Sequence, residues 1–94
     1  MAYLMTTIGE IKEIRPYNGF AFTYDELRKY VEGDACIIPM HEANHANELL
    51  VINKDACMLG LDHNRQATMM ARFTDYVGEV RGNAMVCDNN EIDL

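Results

Sequence analysis

Five residues near the middle of the chain, His41-Glu42-Ala43-Asn44-His45, fit the pattern H-E-x-x-H. On a helix this spacing sets two imidazoles on one face, where they hold zinc, and the glutamate between them activates a zinc-bound water. The surroundings do not favour such a helix. Pro39 stands two residues before the motif, the segment has no apolar face, and an apolar run begins at Leu49. His63 would have to serve as a third ligand. The plain alternative is a chance match in an exposed polar loop, and 94 residues is small for a metalloprotease domain.

Other catalytic patterns fare worse. The chain contains no serine, which removes a Ser-His-Asp triad. Cys36, Cys57 and Cys87 are widely spaced and sit beside apolar residues, so they read as reduced core thiols rather than nucleophiles, disulfides or zinc ligands. No glycine-rich loop has phosphate-cradling spacing, and no residue pattern calls for a cofactor. Two polar clusters remain. One is Arg15-Pro16-Tyr17-Asn18-Gly19; the other is His63-Asn64-Arg65-Gln66-Ala67-Thr68. Arginine forks and a helix N-terminus suit an anion, and Tyr17, Phe20 or Tyr24 could stack on a base. Set against this, both arginines could be surface charges and Asn64 a plain helix cap.

The elements that must position these residues are legible in outline. Thr6–Ile14 is rich in β-branched residues and is expected to be a strand ending in the Pro16–Gly19 turn. Thr23-Tyr24-Asp25-Glu26 is a capping box that opens a helix over Tyr24–Glu32, with Leu27, Tyr30 and Val31 as its apolar stripe and Gly33 as its stop. Ala35–Ile38, Leu49–Ile52 and Ala56–Leu59 are expected to be strands, the last two joined as a hairpin through Asn53-Lys54-Asp55. Asp62 or Asn64 caps a second helix running to Arg72. Ala84–Cys87 is a last strand, and the acidic stretch 88–94 is expected to fray. The expectation is one α+β domain over residues 1–94, with a small antiparallel-rich sheet and two short helices in the order β-α-β-β-β-α-β.

Bulk properties bound the partners. The formal net charge is -7, from 15 acidic and 8 basic residues. That disfavours nucleic acid polymers and anionic membranes, which need clustered Lys and Arg, but leaves room for a small anion held by one or two arginines. No apolar run reaches membrane-spanning length, and the first residues carry neither a basic leader nor a long apolar stretch, so a cytoplasmic location is expected. A core this small is often reinforced by self-association.

The segments Gly9–Gly19, Phe22–Leu27 and Val31–Gly33 resemble the front of a small domain family of unknown function found in phages and their hosts. Val51–Asp55, Gly60–Arg65 with Ala67-Thr68, and Asp75–Gly78 extend the resemblance across most of Gly9–Val86; the loop from His41 to Asn47 departs from it. Small phage proteins of this style resemble immune-evasion sponges, oligomers that sequester cyclic nucleotide signals such as those of CBASS defence. The resemblance implies a non-enzymatic homo-oligomer in the host cytoplasm that binds a cyclic dinucleotide. Under it, Arg15 and Arg65 would pair with phosphates, Tyr17 would stack, and Asn64 and Thr68 would read polar edges. An acidic inhibitor or DNA mimic acting on a host defence enzyme is the competing expectation, and a zinc hydrolase the third.

Overall fold

The computed structural model describes residues 1–41 and 47–93. Strands β1 (Ala2–Met5), β2 (Ile11–Ile14), β4 (Ala35–Pro39), β5 (Glu48–Asn53) and β6 (Ala84–Asp88) form one sheet in the order β2-β1-β6-β5-β4. Every neighbouring pair is antiparallel. A separate two-stranded parallel pair joins β3 (Phe22–Thr23) to β7 (Ile92–Asp93).

The central strands are apolar on both faces because both faces are covered. On one face Leu50, Ile52, Ala84 and Val86 meet Ala67 and Ala71 of α3 (Arg65–Ala71). On the other Val51, Met85 and Cys87 meet Phe22 together with Leu27 and Val31 of α1 (Tyr24–Val31). Burying each large side chain contributes roughly 1.5–3 kcal/mol. Phe22 packs edge-on against Tyr30, with centroids 6.1 Å apart. On its own face α3 packs with β5, β6 and Met5 of β1. A shallow apolar groove of about 190 Å³ is lined by Tyr3, Met5, Ile11 and Met70 among others.

The capping box of α1 forms as its spacing predicts: the Thr23 hydroxyl accepts from the Glu26 amide, and the Glu26 side chain accepts from the Thr23 amide. The stop differs by one residue. Glu32 takes the left-handed position, and the Gly33 amide reaches back to the Arg28 carbonyl. Asn64 caps α3 through the Ala67 amide.

The α+β class and the antiparallel sheet agree with expectation; several elements do not. Thr6–Ile14 is not one strand. Thr6–Glu10 is a turn closed by Thr6 N–H to the Glu10 carbonyl, β2 occupies only Ile11–Ile14, and β1 lies ahead of it. Ala56–Leu59 is a short helix, α2, rather than a strand, so there are three α-helices among the described residues and not two. The partner of β5 in the hairpin is therefore β4, with Ile38 opposite Leu50. The stretch 88–93 is ordered: Asn89–Glu91 form a 3-10 turn, and β7 pairs with β3. Cys57 is exposed on α2, whereas Cys87 is buried, and that burial pushes its thiol up to about 12.

Candidate ligand-binding site

A polar recess is built by the loop Arg15–Ala21 against α1. The loop holds itself in shape. The Asn18 side-chain oxygen accepts the amides of Phe20 and Ala21, and the Gly19 amide donates to the Pro16 carbonyl. Gly19 sits at φ +81°, where a side chain would be strained. Glu26 then ties the loop to the helix. One carboxylate oxygen accepts the Tyr17 amide at 2.9 Å, and the other accepts the Thr23 amide at 3.1 Å. Partial burial pushes the Glu26 carboxyl up, but these two amides, the Thr23 hydroxyl and nearby Lys29 outweigh it and hold it below the ordinary value. Glu26 is thus ionised, with its oxygens already engaged.

Arg15, Tyr17, Glu26, Lys29 and Tyr30 line a cavity of about 300 Å³. A second recess of about 370 Å³ shares Arg15 and adds Ala2, Ile14, Pro16 and Phe20. The first cavity is lined by two cationic residues, one carboxylate and two tyrosines. Arg15 lies 3.6 Å from Glu13 and is mostly exposed, so its guanidinium has donors to spare. Tyr17 and Phe20 present their rings to solvent, at 97% and 83% exposure. Cations at an edge and open aromatic faces suit an anionic ring compound. The volume lies at the lower end of ligand pockets, about one nucleotide unit.

The second cluster is differently employed. Asn64 is completely buried, and its amide nitrogen donates to the carbonyls of Met5 and Gly82 at 2.9 and 2.8 Å. The Thr68 hydroxyl donates to the Asn64 carbonyl and accepts the Val80 amide. Both side chains hold the fold together and have little left for a ligand. Arg65, the first residue of α3, is exposed. The two clusters also lie apart. Asn64 grips Met5, and Gln66 bonds the Gly9 carbonyl, at the turn end of the β1–β2 hairpin. Arg15 follows the other end, where Ile14 faces Ala2. A four-residue strand separates them, about 13 Å.

Lys29, Tyr30 and the second role of Glu26 went unread in the sequence. The signal was present: residues three and four beyond Glu26 share its helix face. A further cluster also escaped. Glu79 accepts from Arg81 at 2.6 Å and lies 2.7 Å from the His63 ring, while Arg81 also donates to the Leu61 carbonyl. Arg81 beside it holds the Glu79 carboxyl below the ordinary range. This exposed clasp joins the approach to α3 to the approach to β6.

Of the zinc motif, Glu42 and His45 lie outside the described residues. His41 pairs with Asp75 at 3.0 Å, and its amide donates to the Phe73 carbonyl. Among the described residues no three His, Cys, Asp or Glu side chains converge as metal ligands. No described helix is long and apolar enough to cross a membrane. Comparison with protein-family models, curated proteins and solved structures finds no match to this chain.

Proposed function

We propose that this protein binds a small nucleotide between the Arg15–Ala21 loop and α1 and holds it without cleaving it. The observation that supports this is that Arg15, Tyr17, Lys29 and Tyr30 together line one cavity of about 300 Å³. The guanidinium would take the phosphate as a fork, and Tyr17, already open to solvent, would close over the base. The one carboxylate of the recess, Glu26, already has its oxygens engaged by amides. Following the resemblance, the ligand is a cyclic nucleotide second messenger, the protein is a homo-oligomeric sponge, and its setting is phage evasion of a host defence.

The test is a thermal-shift and calorimetry panel of cyclic dinucleotides and trinucleotides against linear mononucleotides. Binding of a cyclic nucleotide is expected. Arg15→Ala should weaken it ten- to a hundredfold, since one charge-assisted hydrogen bond contributes roughly 1.5–3 kcal/mol. Arg15 is exposed, so the variant should keep the parent's fold. Undiminished affinity in Arg15→Ala would remove this site, and no binding across the panel would remove the function.

A further inference from the structure

The two edges of the five-stranded sheet are treated differently. In β4 the even-numbered residues bond to β5, as shown by the Lys54 amide on the Asp34 carbonyl and the Met40 amide on the Glu48 carbonyl. The odd-numbered residues of β4 therefore aim their polar groups outward. That edge is blocked at both of its ends, while Ile37 between them aims its N–H and C=O outward. The Ala35 amide is taken by the Tyr24 hydroxyl at 3.2 Å, and Pro39 has no N–H to offer.

The β2 edge is open. The Thr6 amide bonds the Glu10 carbonyl, so in the register of β1 and β2 the even residues Lys12 and Ile14 bond inward. Ile11 and Glu13 aim N–H and C=O to the outside, and so does Arg15 by continuation, since Pro16 biases it to extended backbone. Residues 11–13 are exposed, and among the described residues the exposed apolar side chains of Tyr3, Ile8 and Ile11 lie on this hairpin, with Tyr17 and Phe20 in the loop that follows it. Exposed apolar side chains beside an outward-facing strand edge are what a covering partner would bury.

We infer that the cover is a second copy of this chain, added antiparallel along β2 about a two-fold axis at Ile14. The alternation of the backbone permits only odd residues opposite odd ones, and charge selects among the registers that remain. An axis at Lys12 sets two lysines face to face, and an axis at Glu13 sets two glutamates face to face. An axis at Ile11 also pairs opposite charges, Lys12 with the partner's Glu10, but it sets Glu13 opposite the partner's Gly9, whose amide is already bonded to the Thr6 carbonyl and whose φ is +91°. The axis at Ile14 puts Glu13 opposite the partner's Arg15, twice, and Ile14 against the partner's Ile14. It also brings the recess lined by Ala2, Ile14 and Phe20 against the partner.

This pair has a consequence for the ligand, which alone rests on the function proposed above. The two Arg15 side chains flank the axis, one from each copy, with backbones separated by two residues of strand, about 7 Å along its length. Two guanidiniums related by a two-fold fit a ligand with two phosphates related in the same way. Each cavity alone is large enough for one half of it.

The interface is tested without any nucleotide. Light scattering after size exclusion should give the mass of a dimer for the parent chain. Glu13→Arg should give a monomer, and the double exchange Glu13→Arg with Arg15→Glu should recover the dimer. Glu13→Pro should also give a monomer that still folds, because the Glu13 amide is unused within one chain and proline is accepted on an outward edge. With Cys57 replaced by alanine, Ile14→Cys should oxidise to a cross-linked pair, as opposed residues of this kind lie about 4.5 Å apart at Cα. Ile11→Cys should not. A parent chain that is monomeric at every concentration overturns the inference. Cross-linking through position 11 but not 14, or failure of the double exchange to restore the dimer, overturns the register. A dimer that binds no nucleotide leaves the interface standing and removes only the function.

Discussion

At the scale of single residues, the most consequential side chain is Asn64. It caps α3 and clamps the Met5 and Gly82 carbonyls from a fully buried position. Asn64→Ala forfeits the cap, about 1 kcal/mol, and strands two buried carbonyls besides, so a loss of roughly 2–4 kcal/mol is expected in urea unfolding. Asn64→Asp keeps the cap but sets a carboxylate against those carbonyls and should cost at least as much. Glu26 supplies the pH dependence. Its carboxyl is held below the ordinary 4.5, so the folded state binds that proton less readily than the unfolded one. Its contribution is complete above that value and is lost as pH falls through the lower folded value. Glu26→Gln should therefore flatten the acid limb of the stability profile, and it should loosen the Tyr17 loop as well. The same residue explains why the site was only half legible. Its spacing to Thr23 announces a helix cap, but no local pattern announces that the second oxygen reaches Tyr17.

At the scale of elements, Gly82 controls how the chain enters β6. It sits at φ +79°, and a Cβ there would meet the Leu61 side chain at 2.7 Å. Gly82→Ala should cost about 1–2 kcal/mol from backbone strain alone, read as a lower melting midpoint. Elements with local signals were readable in sequence: the capping box of α1, the Asn64 cap of α3, and the apolar runs of β4, β5 and β6. Elements decided by tertiary context were not. Ala56–Leu59 has four apolar residues and looks like a returning strand, but β5 is already flanked by β4 and β6, so there is no edge for it to join. The stretch 88–93 looks like an acidic tail because two strands of two residues each have no periodicity to detect. Its order comes from pairing with Phe22-Thr23 far away in the chain. The strand β1 was missed because it is only four residues long, and half of its side chains remain at least partly exposed.

At the scale of the whole molecule, the sheet buries apolar side chains on both faces, and the pairing inferred above would place its interaction surface at an edge. The charge of -7 fits that arrangement, because the exposed cations Arg15 and Lys29 stand out against an acidic body. Under the pairing inferred above, Tyr24 and Pro39 would set how far assembly can go. With β4 blocked at both ends, each copy would have one favourable side, so two copies would satisfy each other and growth would stop at the pair. A copy with two open sides would be bivalent, and bivalent units add without limit. Tyr24→Phe with Pro39→Ala frees the Ala35 amide and restores one at position 39. The expected product is a series of ever longer species, growing with concentration and time in light scattering. Under that pairing, one phenol hydroxyl and one proline ring would hold the assembly to a finite size.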